Sequence, residues 1–212
     1  MIFEQIDNGG DRNFGYLIGD AEAGVAAIVD PSYTPQAYLD RVAALQLNLK
    51  YVICTHSHQD HINGNDYIQE HSEAEVIMCQ DADYFYDIAV ADNQVIELGT
   101  LRLKIFHTPG HSDDCICILV ENKLVTGDTL FVGKVGGTDL DDGARRQFES
   151  LQRLMTLDAS VEVYPGHNYG ARPWSTIGDE KTTNPFLLQP DFDAFVNLKK
   201  NWTAYKKLHN IV

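Results

Sequence analysis

The sequence predicts an α/β protein in which two β-sheets pack face to face and helices cover the outer faces. Segments of strand composition alternate with segments of helical periodicity, in two similar halves of the chain. Each group of strands also runs into a short polar loop rich in His, Asp and Gly. Because loops gathered at one rim of a rigid scaffold commonly carry function, we expect the chemistry to lie in these loops.

Composition and spacing predict the individual elements. Runs rich in β-branched and aromatic residues predict strands over 2–6, 13–18, 25–29, 51–55, 75–78, 94–98, 101–107, 116–120, 123–126 and 161–164. Apolar residues spaced by three and four positions predict helices over 35–46, 141–157 and 191–208, and a shorter helix is expected at 65–71. The last helix has an aromatic stripe, which packs either against the chain's own core or in a homodimer.

The composition favours one soluble globular domain over residues 1–212, since 44% of the residues are hydrophobic and 22% are charged. A membrane-spanning helix needs about 18 consecutive apolar residues, and the longest apolar run, 23–29, is much shorter. The N-terminus also lacks the basic and apolar regions of a secretory signal. We therefore expect no association with a membrane.

The net charge and the cysteines indicate which partners and which cellular compartment to expect. A net charge of -15 repels phosphate backbones, so we expect no nucleic-acid partner. Of the four cysteines, Cys115 and Cys117 are two apart, which is not the Cys-x-x-Cys spacing of redox and zinc sites. We expect buried free thiols, which indicate a reducing compartment and thus the cytoplasm.

The segment Thr55-His56-Ser57-His58-Gln59-Asp60-His61 predicts a metal site. In an extended chain, residues i and i+2 face the same side about 6.5 Å apart. His56 and His58 can therefore bring ring nitrogens to one ion. Asp60 and His61 lie further along, where the chain turns, and are better placed to serve a second ion.

Three further loops each place one ligand-type residue beside a glycine just after a predicted strand. These residues are His111, Asp128 and His167. Glycine lets the backbone turn sharply and approach an ion closely. The four loops together hold five of the eight histidines, which favours one shared metal centre over isolated structural histidines.

In their order along the chain, from His56 to His167, these motifs resemble those of the metallo-β-lactamase superfamily. The resemblance implies an αββα sandwich with two mixed β-sheets, helices on the outer faces and a dinuclear centre at one edge of the sheets. Its implied ligands are His56, His58 and His111 for the first metal, Asp60, His61 and His167 for the second, and Asp128 as the bridge. His58 stands where flavodiiron oxygen reductases of this fold carry Glu, which favours hydrolysis.

Two branches of the superfamily are similar to this chain in further segments. Residues 127–133 and 166–169 resemble hydroxyacylglutathione hydrolase (glyoxalase II), in which the tyrosine matching Tyr169 contacts the glutathione part. Residues 136–139 and 175–185 resemble persulfide dioxygenases, although these typically carry Arg where Gly137 stands. The sequence therefore leaves the thiol part of the substrate open.

The leading hypothesis is a hydrolase that holds two divalent ions and cleaves a small thioester, with zinc as the expected metal and iron or manganese as alternatives. Asp128 would fix the separation of the metals, and Asp60 would orient the attacking hydroxide. The alternative is a mononuclear iron persulfide dioxygenase that uses His56, His111 and Asp128, a two-His-one-carboxylate set. The ligand motifs are compatible with both.

Substrate contacts are expected on or just after the metal loops, with ordinary packing or a surface position as the alternative. The candidates are Phe131, Tyr169, Arg172 and Trp174. Lys134, Arg145 and Arg146 either attract an anionic substrate or lie on the surface. Residues 194–212 carry four lysines and no acid, which indicates either a solvated helix face or a site for an anion.

Overall fold

In a computed structural model, which describes residues 1–209, two six-stranded sheets pack against each other with helices on both outer faces. This arrangement confirms the predicted αββα sandwich. The first sheet consists, in spatial order, of β1 (Ile2–Gly9), β2 (Asn13–Asp20), β3 (Val25–Val29), β4 (Asn48–Ile53), β5 (Glu75–Cys79) and β6 (Ile88–Val90). Strands β1 to β3 are antiparallel, and β3 to β6 are parallel, so the sheet is mixed.

The second half of the chain builds the second sheet and a small hairpin. Its strands are β7 (Val95–Leu98), β8 (Leu101–His107), β9 (Ile116–Val120), β10 (Lys123–Gly127), β11 (Leu130–Phe131), β12 (Lys134–Val135), β13 (Glu162–Pro165) and β14 (Ser175–Thr176). The second sheet has the order β14-β13-β10-β9-β8-β7, and β11 pairs with β12. Within this sheet β10 and β13 are parallel, whereas the other neighbouring strands are antiparallel.

The helices are α1 (Pro35–Ala44), α2 (Gln59–Ile62), α3 (Asn65–His71), α4 (Asp142–Leu154), α5 (Ile177–Thr183), α6 (Phe192–Lys200) and α7 (Trp202–Leu208). The predicted continuous helix over 191–208 is wrong, because the chain leaves helical geometry at Asn201. The Asn201 side chain donates to the backbone oxygen of Asn197 at 2.9 Å, a local contact by which asparagine competes with helical hydrogen bonding. Helices α2 and α5 are too short to produce a periodic pattern.

The core between the sheets follows the alternation of side chains along the strands. Tyr16 and Ile18 of β2 are buried in one cluster with Ile105 and Ile118 of the second sheet. Leu17, between them, points to the opposite face and packs in the cluster under the helices of the first sheet. All four cysteines are buried and free, as predicted.

The aromatic stripe near the C-terminus packs on the chain's own second sheet. Phe195 and Leu198 of α6 are buried, and Trp202 and Tyr205 of α7 are partly buried against the same cluster. The Trp202 ring lies 4.6 Å from that of Phe186. A homodimer therefore stays a prediction. Among residues 1–209, none of the helices combines the length and apolar character that crossing a membrane requires.

The topology brings the C-terminal ends of four strands to one rim of the sandwich. Strands β3 and β4 are parallel neighbours in the first sheet, as β10 and β13 are in the second, so their C-terminal ends lie together. The polar residues that follow these strands are Asp30, His56, Asp128 and His167. A backbone hydrogen bond of 2.8 Å from Phe14 N to Gly166 O joins the two sheets at this rim.

At another point of contact between the sheets, the carboxylate of Asp20 accepts hydrogen bonds from the backbone N–H and the hydroxyl of Thr100, both at 2.7 Å. These bonds, with one from Ala23 N, lower the pKa of Asp20 to about 2. Because this folded-state value lies below the unfolded value of about 3.9, the carboxylate stabilises the fold above about pH 4, and that contribution is lost as the pH falls toward 2.

We therefore expect Asp20→Asn to be less stable than the wild type at neutral pH, with the difference shrinking as the pH falls from about 4. Urea unfolding of both proteins between pH 6 and pH 3 measures this. Glu22→Gln changes an exposed carboxylate on the same turn and serves as the control. A constant difference across this range would contradict the role assigned to the Asp20 charge.

Candidate metal centre

Three histidines from two loops form the first group of candidate ligands. The ring atoms His56 Nε2 and His111 Nε2 each lie 3.0 Å from His58 Nδ1. His56 and His58 follow β4, whereas His111 follows β8. The structure thus brings together the three residues that the resemblance implies for a first metal, with one ring nitrogen of each within 4.8 Å of the others.

The second group contains the other three predicted ligands. His61 Nε2 lies 3.3 Å from His167 Nε2. Asp60 Oδ2 lies 3.7 Å from the His61 nitrogen and 3.4 Å from that of His167. Asp60 and His61 sit on the short helix α2, where the chain turns after the extended segment of His56 and His58, and the His61 ring stays close to that of His56, with the centroids 4.2 Å apart. This turn explains why four residues within one short motif separate into two groups.

Asp128 lies between the two groups. Its Oδ2 is 3.5 Å from His111 Nε2 in the first group and 3.4 Å from His167 Nε2 in the second. Its Oδ1 is 3.4 Å from His61 Nε2. The side chain is 9% exposed, so little water reaches this carboxylate. One side chain therefore faces both groups, as a bridging ligand must.

The residues present fit a pair of divalent ions. Two ligands at 2.0–2.1 Å from a tetrahedral zinc ion lie roughly 3.3 Å apart, and the separations within each group are close to that value. Asp128 Oδ1 is buried without a hydrogen-bond partner among the described residues, which is costly unless a cation satisfies it. A side chain at Gly166 would fill the space, because its Cβ would lie 2.5 Å from that oxygen.

Hydrogen bonds from the outer ring nitrogens hold the histidines in orientation. His111 Nδ1 lies 2.7 Å from the backbone oxygen of Gly137, and His167 Nδ1 lies 2.9 Å from that of Asp11. A carbonyl oxygen can only accept, so each Nδ1 carries the proton and each Nε2 keeps its lone pair for the centre. Such outer contacts typically fix the tautomer of a metal-binding histidine.

Asp30 supports two candidate ligands and was not predicted from the sequence, in which it directly follows the predicted strand 25–29. It is fully buried. Its Oδ2 accepts from His61 Nδ1 at 2.9 Å and from the Thr55 hydroxyl at 2.7 Å, and its Oδ1 accepts from Thr55 N at 2.8 Å. Thr55 Oγ1 in turn lies 3.1 Å from His56 Nδ1. A polar residue directly after a buried strand was the only signal in the sequence.

Asn13 is a second supporting residue that sequence reasoning placed only in a strand. Its Nδ2 donates to Asp60 Oδ2 at 3.0 Å and to the Asp60 backbone oxygen at 3.1 Å. These bonds orient the carboxylate while leaving a third of the Asp60 side chain exposed. Asp60 is therefore the candidate ligand that water reaches most easily among the three in its group.

The electrostatics of the centre favour a cation. Burial holds the pKa of His56 well below its usual range and also lowers that of His111. Burial opposes protonation of His61 too, but Asp128 and Asp30 raise its pKa to about 9. Burial raises the pKa of Asp128, yet the surrounding histidines, His61 first, hold it well below its usual range. The site thus combines ionised carboxylates with neutral His56 and His111, which can accept a metal.

The four predicted substrate-contact residues do not all lie at the metal ligands. The Phe131 and Tyr169 rings contact the His167 ring at 5.8 and 4.6 Å and line a cavity of about 440 Å³ beside the centre. Arg172 pairs with Asp179 and lines a neighbouring cavity. Trp174 is exposed and stacks on a tyrosine of β13. The structure therefore brings two of the four candidates to the metal ligands.

The three cationic candidates likewise lie in different places. Lys134 lines the 440 Å³ cavity. Arg145 lies over the Phe192 ring, and Arg146 pairs with Asp113 at 2.7 Å on the helix surface. Of the two predicted alternatives, the structure thus shows the surface position for both arginines.

A two-sheet sandwich with this set of His and Asp residues at its rim defines a class of metalloprotein. The chain belongs to the metallo-beta-lactamase superfamily, whose family profile matches residues 9–167.

The chain is similar to individual proteins from both predicted branches. It is 35% identical over 199 residues to the probable polyketide biosynthesis zinc-dependent hydrolase PksB of Bacillus subtilis (strain 168), covering 90% of this chain and 88% of that protein. It is 34% identical over 163 residues to hydroxyacylglutathione hydrolase of Francisella tularensis subsp. novicida (strain U112), covering 74% and 64%. The crystal structure of ETHE1 from Myxococcus xanthus matches with a TM-score of 0.90 at 34% identity, covering 95% and 91%.

Proposed function

We propose that the protein is a hydrolase of small thioesters that works with two divalent metal ions, zinc in the first place. The observation that carries this proposal is the pair of ligand groups with Asp128 facing both, at separations of 3.4–3.5 Å from the nearest histidine nitrogens. A mononuclear centre would use only one of these groups. We propose His56, His58 and His111 for one ion, and Asp60, His61 and His167 for the other.

When bound, such a pair of ions polarises a carbonyl and lowers the pKa of water toward about 7. The residues of the chain then supply position. Asp60, held by Asn13 and open to water, orients the attacking water, and the proton that this water loses passes to the leaving thiolate. Phe131 and Tyr169 form an apolar wall that holds the acyl thioester against the centre. The C–S bond breaks, water adds to the acyl carbon, and the products are an acid and a thiol.

Relatives support the hydrolytic part of this proposal. PksB is named a probable zinc-dependent hydrolase, and the match extends over most of both chains. The hydroxyacylglutathione hydrolase match supports a thioester substrate, but the chain covers only 64% of that relative. The reaction type therefore extends to this chain, whereas the thiol part of the substrate depends on the cavity beside the centre.

The second candidate function is persulfide oxygenation with a single iron held by His56, His111 and Asp128. The similarity to ETHE1, a persulfide dioxygenase, favours it. Gly137 argues against it, because persulfide dioxygenases typically carry Arg at this position and a Cβ built on Gly137 meets no atom within 4 Å. The position is thus open where that branch has a cationic side chain.

Metal analysis of protein purified without added metal, combined with two assays, separates the candidates. We expect two zinc ions per chain, cleavage of a simple acyl thioester and no oxygen uptake with a persulfide. One iron per chain, with persulfide-dependent oxygen uptake and no thioester cleavage, would replace the proposal by the second candidate.

A further inference from the structure

The cavity beside the metal centre gathers cations in a chain with a net charge of -15. Four of its lining residues are basic, and they come from distant parts of the sequence. They are Arg12 from the turn after β1, Lys134 from β12, Lys199 from α6 and Lys206 from α7. A local excess of one charge in an oppositely charged protein concentrates ligands of the other sign.

These cations are close enough to affect one another. Burial lowers the pKa of Lys134, and Lys206 and Arg12 lower it further. Burial also lowers the pKa of Lys199, to about 8. Lys206 and Arg12 thus lie close enough to Lys134 for their charges to act on it across the cavity.

The cationic wall is connected to the proposed metal ligands. Lys199 Nζ donates to the backbone oxygen of Gly136 at 2.9 Å. The next carbonyl, that of Gly137, accepts from His111 Nδ1 at 2.7 Å. Lys199 thus contacts the same loop that orients a candidate metal ligand. The same cavity is lined by the basic residues and by Phe131, and the Phe131 ring contacts His167.

The cavity has four basic lining residues and one acidic residue, Asp11. The Tyr169 hydroxyl donates to Asp11 Oδ2 at 2.5 Å, and Arg12 Nε lies 3.9 Å from Asp11 Oδ1. Glutathione carries an ammonium group besides its two carboxylates, and a cationic cavity attracts the carboxylates but repels the ammonium. A phosphate carries only negative charge and suits such a cavity.

Resting on the thioester hydrolysis proposed above, we propose that this cavity binds the phosphate of a phosphopantetheine arm, so that the substrates are acyl thioesters of phosphopantetheine rather than of glutathione. Phe131, Tyr169 and Trp202 line the same cavity and provide apolar surface for the arm. A volume of about 440 Å³ is in the range of small-molecule sites, roughly 300–1,000 Å³.

One acyl group on four thiols tests this proposal with the metal-loaded enzyme: pantetheine, 4′-phosphopantetheine, coenzyme A and glutathione. We expect kcat/KM for the 4′-phosphopantetheine thioester to exceed that for the phosphate-free pantetheine thioester by about tenfold or more. The coenzyme A thioester represents a free cofactor, and the isolated 4′-phosphopantetheine thioester represents an arm that is carried on a protein. Comparing these two substrates distinguishes the two sources of the phosphate. Equal rates with pantetheine and phosphopantetheine, or a preference for glutathione, would overturn the inference and leave thioester hydrolysis standing.

Two adjacent lysines of α7 provide a matched pair of variants. Lys206 lines the cavity, whereas Lys207 is exposed and does not. We expect Lys206→Glu to raise KM for the phosphopantetheine thioester about tenfold and to change KM for the pantetheine thioester much less, whereas Lys207→Glu changes neither. Calorimetric binding of the phosphopantetheine thiol gives the same comparison without turnover. Equal binding to the wild type and Lys206→Glu would contradict the proposed phosphate site even if no thioester were cleaved.

Discussion

Replacing Asp128 with alanine is expected to deplete the protein of metal and to lower kcat for a thioester about a thousand-fold. Asp128 is the side chain that faces both ligand groups, with its two oxygens 3.4–3.5 Å from nitrogens of His61, His111 and His167. Its loss removes the one negative charge between the groups. Metal analysis after dialysis and a thioester assay at saturating substrate measure the two effects.

Asp83→Ala is the control for this experiment, because it removes an exposed carboxylate outside the candidate ligand set. It should keep the metal content and the activity of the wild type. A chain that carries Asp128→Ala and still holds two ions would show that Asp128 does not bridge them.

Asp30→Asn is expected to weaken metal binding by about 10- to 100-fold, although Asp30 lies in neither ligand group. Its Oδ2 accepts from both His61 and the Thr55 hydroxyl, at 2.9 and 2.7 Å. An amide has one oxygen in place of two, and its nitrogen cannot accept from the three donors that Asp30 now serves. One donor from His61 or Thr55 then loses its partner in a fully buried site.

Asparagine is the informative replacement because Asp30 has a φ of 51°, in the left-handed region that Asn and Asp tolerate better than most residues. The backbone is therefore preserved while the hydrogen bonding changes. Competition with a chelator measures the affinity, and Asp83→Asn provides the same chemical change at an exposed position. An affinity equal to that of the wild type would remove Asp30 from the account of the site.

The sequence predicted the parts of the site that depend on local spacing. The motif from His56 to His61 contains four candidate ligands within six residues, and the three later loops repeat one pattern of a ligand beside a glycine. Strand composition and loop positions were enough to predict the sandwich. Short elements such as α2 and β6 (Ile88–Val90) were missed because too few residues are present for a period to be recognised.

What the sequence did not predict depends on contacts between distant parts of the chain. Asp30 meets His61 only because β3 and β4 are parallel neighbours, and Asn13 meets Asp60 across 47 positions. The cationic cavity joins residues as far apart as Arg12 and Lys206. No local pattern distinguishes these side chains from other polar residues at the ends of strands or on helices.

The proposed metal centre requires residues that are distant in the sequence to bind two metal ions at one rim of the sandwich. Anomalous diffraction from crystals, recorded above and below the absorption edge of the metal found by elemental analysis, locates these ions. We predict two peaks, one among the nitrogens of His56, His58 and His111, and one among Asp60, His61 and His167, with Asp128 in contact with both. A single peak, or none between these side chains, would contradict the account.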